Sequence, residues 1–446
     1  GKITVVLGAL SEEEKNELFQ DLTLTVMSPG VPTDLPIVNE MREMGIPIWG
    51  EIELAYVFGK GDVLAITGTN GKTTTCAMIE HGLKNNNIPC FINKSGANML
   101  GGVATAFIKN SNLFGKPKCR YAVLECDENS LPLITNSINA KIIVVTNIFR
   151  DQLDRYAEVN TTFDKIKQGI ENSPNATIVL NADCPLTYSF KFHCKNDVVS
   201  FGVNGNGKGN VPSDSPFCPC CSSRLKYNRV MYAQLGDFCC PNCKYKRVTP
   251  DLCATDVHGS SFILDGKSIT LALGGIYNVY NFLSASSVLN LLHLNYLPLQ
   301  SFGGSFGRME SFYCDNRKIT VMLVKNPVGF SNCINYAFGR FGEFESVFAL
   351  NDNDADGKDV SWIWDVDFSA VKSRKNYTVG KRAYDMALRL KYDGIVPTVI
   401  DGEDYSKLIA LIKNGNTDFV IFSTYTAMMN LRHLLIENFG GDEFWQ

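Results

Sequence analysis

The seven residues Gly68 to Thr74 (GTNGKTT) follow the apolar, β-branched run Asp62 to Thr67 (DVLAIT) and open a helical pattern that continues through Met78 and Ile79. Strand, glycine loop and helix N-terminus together suit a triphosphate, because backbone N–H groups and the helix dipole face the anion. Lys72 would add a point charge there, and the Thr73 hydroxyl would ligate magnesium. The loop is a variant, since Ile66 rather than Gly stands five residues before Gly71. A tight strand-to-helix turn with a surface lysine is the bland alternative. Glu125 ends the next apolar run, Tyr121 to Cys126 (YAVLEC), where a carboxylate can reach a metal held at such a loop.

A second group is Cys218, Cys221, Cys240 and Cys243, two CxxC pairs with eighteen residues between them. This is four-thiolate zinc-ribbon spacing, and a closed site of that kind is structural because no coordination position is left for substrate. Pro219 and Pro241 suit the tight knuckles, while Cys220 and Cys239 beside them blur the register. Reduced thiols without metal are the alternative. The other nine cysteines are scattered singly, and an odd total of fifteen without a signal pattern fits a reducing compartment.

A third group, Asn351 to Phe368 (NDNDADGKDVSWIWDVDF), sets six aspartates around Trp362 and Trp364. The EF-hand spacing with its terminal Glu is absent, which weakens calcium binding. A solvated acidic loop is the plain reading of the charges. The tryptophans point instead to local packing or to a partner surface.

These groups sit in a chain of 446 residues, 45% hydrophobic and 20% charged, with a net charge of −4. Such a chain has room for two to four domains and is not disordered wholesale. Its charge argues against general nucleic-acid binding. No apolar run reaches the roughly 18 to 20 residues that span a bilayer, and the start lacks a signal pattern, so a cytoplasmic protein is expected.

The runs DVLAIT, YAVLEC, Lys141 to Asn147 and Ala176 to Asn181 alternate with helical patterns, as buried parallel strands of an α/β sheet do. Polar sequence from Asn204 to Ser215 leads into the cysteine cluster and marks an insertion. A helix is expected from Gly275 to about Leu294, then a linker over Phe302 to Glu310 (FGGSFGRME). Strands resume at Thr320 to Val324, Ser346 to Leu350, Pro397 to Ile400 and Phe419 to Ser423. Residues 1 to 60 form another unit, with strand-like Ile3 to Leu7 and Leu22 to Met27.

The order and spacing of GTNGKTT, Glu125, Thr146 to Tyr156 (TNIFRDQLDRY), Asn181 to Asp183 (NAD), Gly275 to Asn281 (GIYNVYN) and Gly307 to Glu310 (GRME) resemble the central domain of the Mur ligase superfamily. Within it, Ser95 to Leu100 (SGANML), the four-cysteine insertion, Val324 to Phe330 (VKNPVGF) and DGKDVSWIWDVDF resemble the MurT family of amidoligase subunits, from about residue 62 onward. The resemblance implies an α/β fold: a Mur-ligase central P-loop domain over 61–305 with an inserted zinc ribbon at about 214–250, a C-terminal Rossmann-like domain over 306–446, and a short N-terminal segment, 1–60. It implies an ATP-dependent ligase that converts the α-carboxyl of D-glutamate in the lipid II stem peptide to the amide. Ammonia would come from a GatD-type glutamine amidotransferase subunit, at the inner face of the cytoplasmic membrane.

Under that resemblance Thr69, Asn70, Gly71, Lys72, Thr73 and Thr74 would hold the phosphates of ATP, with Thr73 and Glu125 on Mg2+ and Zn2+ on the four cysteines. Asn278 and Asn281 resemble nucleotide-contacting asparagines, Arg308 a linker arginine near the nucleotide, and Lys325 and Asn326 the C-terminal wall of the site. Gln152 stands where a metal-binding histidine is common, and Lys165, or Lys167, falls near a lysine that is carbamylated in Mur ligases. Asp365 would complete the glutaminase site of the partner, with Asp359 and Asp356 as alternatives. The segment Ser28 to Pro32 (SPGVP) and Ile46 to Leu54 (IPIWGEIEL) resemble instead the UDP-binding domain of MurD-type D-glutamate ligases, the alternative function. A zinc-stapled ATP-binding scaffold without turnover is a third reading.

Overall fold

In the computed structural model, the residues described are 10–27, 31–32, 34–50, 61–93, 97–111, 118–149, 156–207, 217–303, 309–372 and 374–440. Ile3 to Leu7, most of SPGVP, Ser95, Gln152, Arg308 and part of the polar lead into the cysteine cluster lie outside them.

The strand Asp62–Thr67 alternates between two apolar surfaces. Leu64 and Ile66 face one core and Val63 and Ala65 the other, all essentially without solvent contact. A strand buried on both faces belongs in the interior of a parallel sheet with helices on either side. Among the described residues the sheet has nine strands, in the order Lys267–Thr270, Ser261–Leu264, Leu252–His258, Val198–Asn204, Thr177–Asn181, Ala140–Val145, Asp62–Thr67, Tyr121–Glu125 and Cys90–Ile92. The last seven run parallel and the first two are an antiparallel edge. One face is covered by the helices Lys72–Asn85 and Ile276–Leu291, and the other by Leu100–Lys109, Leu131–Ser137 and Tyr156–Glu171. The first two helices touch closely at Gly82, where a Cβ would meet Leu289 Cδ1 at 2.5 Å.

The cysteine segment interrupts this sheet without ending it. Val198–Asn204 pairs in parallel with Leu252–His258, so the ribbon is inserted between adjacent strands. Within the ribbon, Lys226–Tyr232 and Leu235–Cys239 form an antiparallel hairpin. It is fastened to the sheet by Arg247, whose Nε donates to Asp183 Oδ1 at 2.5 Å. Asp183 has no solvent exposure and also accepts from Tyr280 OH at 2.6 Å and Val203 N at 2.7 Å. Burial alone pushes its carboxyl toward the neutral form, and these three donors favour the ion.

The second sheet has six strands, in the order Met309–Cys314, Arg317–Leu323, Asp418–Ser423, Phe344–Ala349, Asn376–Val379 and Thr398–Val399. All neighbours are parallel except the first pair. The linker expected over Phe302 to Glu310 is corrected at its end, because Met309 and Glu310 open a strand whose Phe312 enters the core. Glu310 is held there by Arg432, Nε to Oε2 2.7 Å. Before residue 61, two three-residue strands, Thr25–Met27 and Ile48–Gly50, pair in parallel beside a small core of Phe19, Met41 and Ile46. None of the described helices is long and apolar enough to cross a membrane.

Removing one partner of a buried ion pair leaves the other charge uncompensated. Asp183→Ala is therefore expected to lower unfolding free energy by about 3 to 5 kcal/mol in a denaturant titration. A loss below about 1 kcal/mol would contradict the fastening role.

Candidate functional site

The loop between Asp62–Thr67 and Lys72–Asn85 turns on two glycines with positive φ, Gly68 at 114° and Gly71 at 85°. A Cβ at Gly68 would meet Thr146 Oγ1 at 2.5 Å, and one at Gly71 would run into Asn281 Oδ1. The loop's own polar groups are held by the segment after the neighbouring strand. Asn147 brackets Asn70, accepting from its N–H at 2.9 Å and donating through Nδ2 to its carbonyl at 3.0 Å. Thr146 Oγ1 donates to the same carbonyl at 2.7 Å. The Thr69 hydroxyl accepts from Phe149 N at 3.0 Å, and Thr69 N donates to Asn147 O at 2.9 Å. With its carbonyls and side chains so engaged, the loop can turn N–H groups at the start of the helix toward an anion.

Lys72 is buried, and its Nζ donates to Gly68 O at 2.7 Å and to Glu128 Oε1 at 2.8 Å. Glu125 is only 4% exposed and is fixed by Asn93, which pairs with its backbone N–H and carbonyl at 2.8 Å each. Its Oε1 accepts from Asn98 Nδ2 at 3.4 Å. Asp127, two residues on, has its carboxyl pushed up by burial and by the charge of Glu128. A divalent cation beside these acids would relieve that repulsion, so the donor set fits magnesium.

Asn70, Gly71, Thr73 and Thr74 line a cleft together with Asn278 and Asn281. Lys325 and Asn326, from the lobe of the second sheet, line the same cleft. Asn326 caps the helix Pro327–Arg340 by accepting from Gly329 N at 2.8 Å, and its Nδ2 donates to Asn70 Oδ1 at 2.9 Å. Asn70 Nδ2 is left buried without a hydrogen-bond partner. An orphaned donor beside glycines that exclude a Cβ is a cradle fitting a nucleoside triphosphate. Asn278 and Asn281 brace one another, Asn281 Nδ2 donating to Asn278 Oδ1 at 3.1 Å.

The sequence singled out Thr69 to Thr74, Glu125, Asn278, Asn281, Lys325 and Asn326. It did not assign a role to Thr146, Asn147 and Phe149, which clamp the loop, or to Glu128, which meets Lys72. The signal for Glu128 was the run Glu125-Cys126-Asp127-Glu128, which crowds carboxylates at a strand end. Lys165 and Lys167 share the helix Tyr156–Glu171, and Lys167 meets Glu171 at 3.8 Å.

The four expected cysteines converge, with all Sγ atoms within 4.8 Å of one another. Cys218 and Cys243 are 3.5 Å apart, as are Cys221 and Cys240. Zinc–sulfur bonds of about 2.3 Å imply sulfur–sulfur edges of about 3.8 Å, so the cluster fits a tetrahedral zinc. The Cys221 thiol is drawn down to about 6, chiefly by the Ser223 hydroxyl and then by its backbone N–H. Cys220 and Cys239 stand outside the cluster.

The acidic loop divides. Asp356 is committed to the fold, its carboxylate taking the Thr426 N–H at 2.8 Å and the Thr426 hydroxyl. Asp359 turns back onto Ser361 N at 2.8 Å. Asp365 is exposed and makes no hydrogen bond or ion pair among the described residues. The tryptophans also divide: Trp362, 2% exposed, packs on Phe330, whereas Trp364 is 45% exposed and meets Tyr392 edge to face at 5.1 Å.

Residues 66–236 match the family model of the Mur ligase middle domain, and 323–428 that of the MurT ligase C-terminal domain. The chain is 36% identical over 393 residues to the MurT subunit of a glutamine-hydrolysing lipid II isoglutaminyl synthase from Streptococcus pneumoniae, covering 84% of this chain and 87% of the relative. The corresponding subunit from Staphylococcus aureus is 32% identical over 86% of this chain and 89% of its own length. A UDP-N-acetylmuramoylalanine–D-glutamate ligase from Lachnospira eligens is 34% identical over 45% of this chain and 42% of its own. Among solved structures, a pseudomurein peptide ligase type C from Methanothermus fervidus superposes with a TM-score of 0.69 at 23% identity, over 94% of this chain and 88% of that one. A MurF ligase from Thermotoga maritima in complex with ADP gives 0.59 at 14% identity, over 95% and 96%. These structural likenesses show the fold.

Two measurements test the geometry. Metal analysis of the purified chain is expected to return one zinc per chain, lost in the paired variant Cys221→Ser, Cys240→Ser. Lys72→Ala removes the cation and strands Glu128, so ATP affinity by calorimetry is expected to fall roughly 30-fold or more.

Proposed function

The chain belongs to the MurT family of Mur ligases, and we propose that it amidates the α-carboxyl of D-glutamate in the stem peptide of lipid II, using ATP and ammonia from a GatD-type glutaminase subunit. It would meet this lipid-linked acceptor at the inner face of the cytoplasmic membrane. The observation that carries the reading is a pairing within one chain. One lobe boundary holds a cleft fit for a triphosphate, and the outer lobe offers Asp365 as an exposed, uncommitted carboxylate.

A carboxylate resists attack by ammonia because no good leaving group is available. In the proposed sequence its oxygen attacks the γ-phosphorus of ATP, the bond to the β-phosphate oxygen breaks, and ADP leaves an acyl phosphate. Lys72 exchanges Gly68 O and Glu128 for phosphate oxygens, and N–H groups at the helix start donate to the oxygens over which the charge spreads. Glu125 and the Thr73 hydroxyl are the proposed magnesium ligands, and that ion, when bound, offsets charge on the transferring phosphate. Thr69 to Thr74, Asn278 and Asn281 hold the nucleotide from the inner lobe, with Lys325 and Asn326 closing from the outer one. Arg308 is retained from the sequence as a further nucleotide contact. Ammonia then adds to the acyl carbon, phosphate departs, and the amide forms as the nitrogen loses a proton.

Free ammonia must be delivered before it is protonated, which gives a glutaminase partner its place. Asp365 is proposed to orient the partner's histidine, as the third member of a triad does. The surface beside it supports docking. Tyr384, Leu388 and Tyr392 stand exposed at four-residue intervals on the helix Ala383–Tyr392, and Trp364 extends the stripe. Asp356 and Asp359 are less suited, because internal hydrogen bonds engage them.

D-glutamate ligation remains the second reading, favoured by the 34% identity to a D-glutamate ligase over 201 residues. Mass analysis separates the readings when the chain receives lipid II, ATP and ammonium, or UDP-MurNAc-L-alanine, ATP and D-glutamate. The proposed function predicts a lipid II product about one mass unit lighter, from OH to NH2. D-glutamate ligation would overturn it, and ATP binding without either product would leave a scaffold. With the partner present, Asp365→Asn is expected to lower glutamine-dependent amidation by about 10³-fold or more while leaving ammonium-dependent amidation within twofold.

A further inference from the structure

The hairpin of the cysteine ribbon has two ends, and only one is at the metal cluster. Its base joins the cysteines directly: Cys239 pairs with Lys226, and Cys240 of the cluster follows. The tip reaches the nucleotide cleft. Tyr232, the last residue of the first strand, lines that cleft together with Asn70, Asn147 and Asn281. Its ring stands edge to face against Phe149 at 5.9 Å and Tyr280 at 5.4 Å.

The tip is anchored where it matters for the glycine loop. Gln234 is buried and donates through Nε2 to the carbonyl of Ile148, between Asn147 and Phe149, which clamp Asn70 and Thr69. Gly236 N donates to Asp183 O at 2.9 Å, and the Asp183 carboxylate receives Arg247 from beyond the second cysteine pair. A hairpin clamped at both ends transmits the placement of its base to its tip, since its strands cannot shorten.

The lining of the cleft says what Tyr232 would touch. The phosphate side is polar backbone and asparagine. The same cleft is also lined by Tyr232, Leu273, Tyr277, Met322 and Val328, which offer little to an anion and a good deal to a flat, apolar face.

We propose that the metal-binding ribbon is a working part of the nucleotide site, with Tyr232 as the aromatic wall against which the base of ATP packs and the four-thiolate knuckle holding that wall in place. This rests on the ATP-dependent reading above and extends it, because a structural metal then sets nucleotide affinity. Tyr232 acts by direct contact with the nucleotide, and the cysteines are positioning residues.

The test is the dissociation constant for ATP with magnesium, measured by calorimetry on the full chain, with kinetics of ammonium-dependent amidation alongside. Tyr232→Ala is expected to weaken ATP and ADP about tenfold, a usual effect of losing one base-stacking ring. The KM for ATP rises by the same factor while kcat at saturating ATP stays within twofold, and Tyr232→Phe binds like the parent. Cys243→Ser is expected to lose metal and weaken ATP by a similar factor, with no further loss when combined with Tyr232→Ala. ATP affinity unchanged in Tyr232→Ala would overturn the proposal, as would a kcat that falls in step with affinity, which marks a loosened site. Should Cys243→Ser fail to fold, the two tyrosine variants decide alone. Failure of the parent chain to bind ATP would sink the ligase reading itself, a result distinct from either.

Discussion

The loop Gly68 to Gly71 must leave the N–H groups at the start of the helix Lys72–Asn85 facing outward, and in that conformation it cannot satisfy its own polar groups, those of Thr69 and Asn70 included. The rest of the structure answers this constraint. Thr146, Asn147 and Phe149 hold the loop from the adjacent strand, which requires the parallel register of Asp62–Thr67 against Ala140–Val145. That register in turn depends on two apolar cores pressing on alternate residues of one strand. Asn326 completes the support from the other lobe, so the hydrogen bond to Asn70 joins the two sheets at the reacting end of the site.

Much of this was legible where local sequence decides the outcome. DVLAIT reads as a strand buried on both faces and forms one over Asp62–Thr67, and the two CxxC pairs read as one four-sulfur cluster and converge as one. What could not be read depends on contacts between distant segments. Thr146 and Asn147 look like the polar end of a strand until the glycine loop is seen 76 and 77 positions earlier in the chain. Met309 and Glu310 follow a glycine-rich stretch and read as linker, yet Arg432, 122 positions on, holds Glu310 in a strand. Among the loop's aspartates the sequence puts Asp365 ahead of Asp359 and Asp356, but it could not show the Thr426 and Ser361 contacts that engage the other two.

The pair Trp362 and Trp364 shows how one short helix can serve packing and presentation together. The turn Ser361–Asp365 buries Trp362 against Phe330 and leaves Trp364 and Asp365 outward. Arg389 lies 5.5 Å from the centre of the Trp364 ring and donates to the carbonyls of Ile363 and Val366, fixing the backbone on either side of Asp365. The role proposed for Asp365, orienting a partner's histidine, would require such rigidity, because orientation is what such a carboxylate supplies.

The order proposed for the cleft is phosphorylation of a carboxyl group before attack by nitrogen. Its most direct test uses lipid II carrying 18O in the α-carboxyl of D-glutamate, with ATP and ammonium, and mass analysis of the inorganic phosphate released. An acyl phosphate transfers one carboxyl oxygen to phosphorus, so the account predicts that labelled phosphate accumulates in step with the amide. Amide formation with unlabelled phosphate would contradict it.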